Sequence, residues 1–110
     1  MYVYTAKVNR WVDGDTVDVD IDLGFDIVLH NKRVRLFGID APESRTRDLE
    51  EKRRGLEAKE YCEKIVAVGS TIQIKTHKQG KYGRILGEIM YGGMNINDLL
   101  VEEGYAVKYY

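Results

Sequence analysis

Apolar and polar positions alternate from the start of the chain. Tyr2, Tyr4, Ala6 and Val8 recur at period two and lead into Trp11 and Val12, which predicts a first strand over 2–12. Asp13-Gly14, a strong hairpin signal, ends it. In the next stretch Val17, Val19, Ile21 and Leu23 face one way while Asp18, Asp20 and Asp22 face the other, the clearest strand in the sequence. Side chains two apart on a strand stand parallel and do not converge, so the three aspartates read as a solvated face that discourages edge pairing rather than as a metal comb. Leu23-Gly24-Phe25 turns the chain, Phe25 to Leu29 leads to a second turn at His30-Asn31-Lys32, and Arg33 to Ile39 forms the third strand, giving a long hairpin with room for a bulge.

Residues 44–54 alternate in charge sign with little apolar content, which predicts a mobile loop or a frayed first helical turn. From Gly55 to Val68, Leu56, Ala58, Tyr61, Cys62, Ile65 and Val66 form a helical stripe, and Gly69 suits the position after the helix. Thr71 to Thr76 and Ile85 to Tyr91 are the fourth and fifth strands, separated by the glycine-bracketed loop 79–84. After Gly92-Gly93, Asn97 is placed to cap a short helix carrying Leu99, Leu100 and Val101. Five strands with a helix between the third and fourth predict an α+β, mainly β domain, an OB-fold five-stranded Greek-key barrel with two helices. An open five-stranded sheet with two covering helices is the other solution.

Length changes this picture little: 110 residues make a single domain, 1–110, with one modest core. The net charge of −1 gives no global attraction to a polyanion, so any positive field for one must be local or carried by a bound cation. Cys62 is the only cysteine, which excludes an intrachain disulfide and a cysteine-based zinc site, and it reads as a core residue. His30 and His77 lie far apart without ligand spacing, and each reads as a surface residue rather than part of a zinc site or a serine triad. Met1 leads directly into the tyrosine alternation with no basic and apolar leader, giving the expectation of a cytoplasmic protein with no membrane partner.

Candidate chemistry concentrates in Val34-Arg35-Leu36-Phe37-Gly38-Ile39-Asp40-Ala41-Pro42-Glu43. Pro42 cannot extend a ladder, so Asp40 and Glu43 stand at the open end of a strand, where a rigid scaffold presents side chains. Asp40 capping a turn and Glu43 solvated is the bland alternative for this stretch taken alone. Asp13-Gly14-Asp15-Thr16 places further carboxylates at a hairpin start, and Arg35 and Arg84 supply cations.

The strings Val12-Asp13-Gly14-Asp15-Thr16, Arg35-Leu36-Phe37-Gly38-Ile39-Asp40-Ala41-Pro42-Glu43 and Lys81-Tyr82-Gly83-Arg84, with Glu57-Ala58 and Gly104, resemble the staphylococcal nuclease (thermonuclease) family over nearly the whole chain. The resemblance implies a calcium-dependent phosphodiesterase that cuts DNA and RNA and leaves 3′-phosphate ends. It implies Asp15 and Asp40 as carboxylate ligands of Ca2+, joined by the backbone carbonyl of Ala41, with Asp13 fixing a metal-bound water. Glu43 matches the general base, Arg35 and Arg84 the phosphate-binding arginines, and Lys81, Tyr82 and Tyr110 would line the nucleotide groove. Residue 41 is Ala where the family commonly has threonine, a change that spares a carbonyl ligand and removes a hydroxyl. The segment between Asp15 and Arg35 is longer than in the best-known member, and the terminal tyrosines are a candidate homodimer patch. A catalytically silent nucleic-acid or protein-binding module of the same family is the alternative, and it would be free to lose the ligands, base and arginines that this chain has.

Overall fold

The computed structural model describes residues 2–77 and 84–109. In order, the elements are β1 (Val3–Asp13), β2 (Thr16–Gly24), β3 (Ile27–Leu36), β4 (Ile39–Asp40), α1 (Leu49–Ile65), β5 (Thr71–Thr76), β6 (Ile85–Tyr91), β7 (Met94–Asn95), α2 (Ile96–Glu102) and β8 (Val107–Lys108). The main sheet runs β3-β2-β1-β5-β6-β7, and parallel pairing of β3 with β6 closes it into a five-stranded barrel. The predicted OB-fold is therefore present. Two short strands, β4 and β8, pair beside the barrel mouth through Ile39↔Lys108 and Asp40↔Val107.

Alternation works as expected inside the barrel except at Leu23, read with Val17, Val19 and Ile21 but 39% exposed at the end of β2. Val8, Trp11, Val17, Val19, Val34, Ile74 and Ile89 are completely buried, and the Trp11 indole N–H is satisfied by the Val66 carbonyl at 2.9 Å. Helix α1 closes one end with Ala58 and Cys62, while Val66 is buried just past its last residue; the three lie at i, i+4 spacing. Leu56, assigned to the same stripe, is 40% exposed instead. Burial pushes the Cys62 thiol up to about 12, so it stays protonated and inert, a core residue as read.

Four local expectations are corrected. The β2–β3 turn is Phe25-Asp26, both at positive φ (54° and 62°), one residue later than the Gly24-centred turn. His30-Asn31-Lys32 is not a turn: β3 runs through it, and Asn31 (φ 56°) is the extra residue of a bulge whose N–H is taken by Asp20 at 2.9 Å. Helix α1 begins at Leu49 because Asp48 caps it, accepting from the Glu50 and Glu51 N–H groups. Asn95, not Asn97, caps α2; Asn97 is buried and ties the helix to the barrel through Ile89 N–H, the Phe37 carbonyl and the Gly87 carbonyl.

The acidic face of β2 is also less wet than its alternation suggests. Asp18 is only 8% exposed, and it accepts from Arg33 Nε (2.9 Å) and Nη2 (3.2 Å) and from Arg10 Nη2 (3.1 Å). These bonds, those of Arg33 foremost, hold its carboxyl below the ordinary range. His77, read as a surface residue, stacks on Phe37 with ring centroids 3.8 Å apart and meets Glu88 at 2.8 Å.

Candidate active site

The hairpin between β1 and β2 pairs Asp13 with Thr16, leaving Gly14-Asp15 as its two-residue turn. That turn is pressed against helix α1: a Cβ on Gly14 would stand 2.8 Å from the Ala58 Cβ and 3.2 Å from the Ala41 Cβ. Small residues at 14, 41 and 58 thus bring the hairpin, the segment after β4 and the helix together at one end of the barrel.

Asp15 is the buried centre of this junction, 6% exposed. Its Oδ2 accepts from the Ala41 N–H at 2.8 Å and lies 3.2 Å from Arg35 Nη1, while Oδ1 accepts from the Thr16 hydroxyl at 2.9 Å. Desolvation raises its pKa above the ordinary carboxylate value, outweighing the opposing effects of the Ala41 N–H and the Arg35 charge; the nearby Asp40 charge raises it further. The same guanidinium reaches Asp40: Arg35 Nη2 donates to Asp40 Oδ1 at 3.1 Å, and Nη1 to the Ile39 carbonyl at 3.0 Å. Arg35 is largely buried and the Asp40 side chain is 56% exposed, so one cation links an inner and an outer carboxylate.

Arg84 stands immediately before β6, whose first residues run parallel to β3 with Arg35 opposite Leu86. Arg84 and Arg35 line one shallow depression of about 370 Å³ with Leu86, Phe37 and Tyr109. Tyr109, which the sequence reading assigns to a candidate homodimer patch and not to this site, is held there by its N–H on the Gly38 carbonyl at 2.9 Å. Lys81, Tyr82 and Tyr110 lie outside the described residues.

Glu43 is exposed on the loop after β4, and its N–H donates to Glu51 Oε2 at 3.2 Å. The next residue, Ser44, is 4% exposed; its N–H donates to Asp13 Oδ1 at 3.1 Å, and its hydroxyl reaches Asp13 Oδ1 and the Val12 carbonyl. Asp13 therefore anchors the Glu43 loop to the hairpin. Sequence reasoning missed Ser44, because no local signal marks a bond between residues so far apart in the chain.

Among the described residues, no group of three or more His, Cys, Asp or Glu side chains forms a metal cage. The groups that do gather are two carboxylates, with the Ala41 N–H bonded to the inner one. Carboxylate oxygens of this kind fit a hard divalent cation whose shell is completed by water, and the burial of Asp15 beside the charge of the exposed Asp40 favours such a cation.

The structure is a closed OB-fold barrel with carboxylates and arginines gathered where strands end. The chain belongs to the staphylococcal nuclease family: the family model described as Staphylococcal nuclease homologue matches residues 33–110. That span includes Arg35, Asp40, Glu43 and Arg84, while Asp13 and Asp15 precede it. The chain is similar to Endonuclease YhcR of Bacillus subtilis (strain 168), 33% identical over 97% of this chain and 9% of that protein. It is similar to an uncharacterized endonuclease of Escherichia coli, 34% identical over 94% of this chain and 60% of that one. It is similar also to the Thermonuclease of Staphylococcus hyicus, 31% identical over 96% of this chain and 60% of the relative. The chain thus spans less than two thirds of each of these relatives.

Proposed function

We propose that this domain is a metal-dependent nuclease that hydrolyses phosphodiester bonds of DNA and RNA, with Ca2+ as its ion and 3′-phosphate ends as products. The observation that carries the reading is the single Arg35 guanidinium bonded to both Asp15 and Asp40, with Glu43 on the adjoining loop and Arg84 on the same depression. Relatives named endonuclease and thermonuclease support the reaction class.

Asp15, Asp40 and the Ala41 carbonyl would hold the calcium ion, which when bound neutralises phosphate charge and lowers the barrier to attack. Arg35 and Arg84 bind phosphate oxygens by charge-assisted bonds and stabilise the extra negative charge of the five-coordinate transition state. Glu43 orients a water molecule and takes its proton as the water oxygen bonds to phosphorus. The bond from phosphorus to the 5′-oxygen breaks, the 5′-oxygen takes a proton from solvent, and the phosphate stays on the 3′ side. Substrate contacts in this scheme are to phosphate and sugar, so they carry no base sequence preference. Asp13 acts through Ser44 on the loop that carries the base.

The test is degradation of single-stranded DNA by the purified domain, with calcium and with chelator, beside a folded Glu43→Gln variant. The expected result is calcium-dependent cutting to 3′-phosphate products that collapses in the variant. Wild-type protein that binds DNA and leaves it intact across pH and metals would refute the enzyme and leave a binding module.

A further inference from the structure

Gly55 lies inside helix α1 and is buried. A glycine in a helix interior costs about 1 kcal/mol relative to alanine. A Cβ placed there would stand 2.3 Å from the Glu43 carbonyl oxygen, 2.4 Å from the Glu43 carbonyl carbon and 2.7 Å from the Ser44 nitrogen. All three atoms are main chain, so no side chain can rotate aside to admit a methyl group. The helix backbone is the floor on which the Glu43-Ser44 peptide rests.

We propose that Gly55, Ser44 and Glu51 form a seat that fixes the main chain of Glu43, and so act as positioning residues for the general base; this rests on the role given to Glu43 above. The seat holds the two peptides that flank the Glu43 Cα from three directions. Gly55 supports the Glu43-Ser44 peptide from below by close contact, Ser44 ties its C-terminal side to Asp13 and to the Val12 carbonyl, and Glu51 accepts the Glu43 N–H at 3.2 Å. Ser44 is buried, and its bonds to Asp13 lock the loop to the same hairpin that presents Asp15. Base and inner carboxylate therefore share one rigid reference, although Glu43 itself is exposed. A side chain at position 55 would force the helix and the Glu43 main chain apart, since the Glu43 carbonyl carbon stands at 2.4 Å where ordinary contact begins at 3.4 Å. Displacing a reacting group by about 1 Å can lower the rate by about 10²-fold.

The experiment is steady-state cleavage of a defined single-stranded DNA oligonucleotide in calcium, with calcium affinity read from thermal shift and folding from circular dichroism. Gly55→Ala is expected to lower kcat by about 10²-fold while KM and calcium affinity change less than threefold. In a Glu43→Gln background the same substitution is expected to lower kcat no further, because no base remains to be misplaced. At the helix surface, Glu51→Ala is expected to lower kcat several-fold, and Glu51→Gln, which keeps an oxygen acceptor, to recover most of that loss. Folded Gly55→Ala with wild-type kcat, or an equal loss in both backgrounds, overturns the proposal. If Gly55→Ala does not fold, the Glu51 pair decides, and a Gln variant no better than Ala overturns it. If Glu43→Gln itself keeps full kcat, the general-base reading falls and takes the seat with it. That outcome is distinct from one in which Glu43→Gln collapses and the seat variants do not.

Discussion

Replacing Asp15 by asparagine separates the stability of the domain from its proposed metal site. The carboxylate has 9% of its side chain exposed, and burial raises its pKa more than its bonds to Ala41 and Arg35 lower it. The folded state thus holds the Asp15 proton more tightly than the unfolded chain does, so ionisation at neutral pH opposes folding when no cation is bound. Asparagine keeps an oxygen for the Ala41 N–H and discards the charge. What it loses is the charge-assisted contact to Arg35 Nη1 at 3.2 Å, with an exchange of roughly 1.5–3 kcal/mol for the roughly 1 kcal/mol of a neutral bond. Arg35 retains Asp40 and the Ile39 carbonyl, and the relieved desolvation is the larger effect. Without metal, Asp15→Asn is therefore expected to be at least as stable as the wild type. At a calcium concentration near 100 times Kd the wild type gains about 2.7 kcal/mol, a rise in Tm of roughly 10 °C for a domain of this size. The variant's rise is expected to be under about 3 °C, with cleavage lost. Differential scanning fluorimetry with calcium and with chelator measures both quantities. A full calcium shift in the variant would refute Asp15 as a ligand, and a loss above about 2 kcal/mol without metal would show that its charge anchors the fold.

Two further predictions concern the scaffold. Trp11→Phe removes the donor to the Val66 carbonyl and leaves space in a fully buried position, so it is expected to destabilise by about 2–4 kcal/mol in a urea melt; a loss under 1 kcal/mol would show that the indole bond is dispensable. Asp18 has its folded pKa lowered, first by the bonds from Arg33, so its contribution is present above the unfolded value of 3.8 and is lost as pH falls through the folded value. Because Arg10 and Arg33 are half exposed, solvent screening holds that contribution to about 1 kcal/mol or less. Asp18→Asn should therefore lower Tm at pH 7 and converge with the wild type in acid; a gap that persists at pH 2 would assign the effect to packing.

The elements legible in the sequence are those whose signal is local. Period-two burial holds at Ala6 and Val8 in β1 and at Val17, Val19 and Ile21 in β2, because alternation is a property of the strand itself; it breaks at the register shift between Val8 and Arg10 and at exposed Leu23. Asp18 shows the limit: alternation placed it on the outer face, but only the register that sets it opposite Arg10 and Arg33 reveals that two guanidinium groups cover it. The start of α1 was hidden for a related reason. Residues 49–54 bury almost nothing, so the apolar period is silent there, and the turn is held by the Asp48 cap and by Arg53 paired with Glu50 and Glu57. Asn95 and Asn97 offer the same side chain two residues apart, and tertiary bonds decide which one caps.

The same division between local and tertiary signals runs through the candidate site. Asp15, Asp40, Glu43 and Arg35 sit at strand ends and turns, where Gly14 and Pro42 mark the chain as leaving regular structure; their chemistry and punctuation are both local. Ser44, Gly55 and Tyr109 act on those residues from other elements: Ser44 through Asp13, Gly55 through the main chain of Glu43, Tyr109 through Gly38. None has a distinctive neighbour in sequence, and a buried serine, a helix glycine and a near-terminal tyrosine each have common structural explanations. Their importance follows from closure of the barrel, which sets β4, the first hairpin and α1 against one another. A ligand can be read from a motif, whereas its placement is a property of the packing that surrounds it.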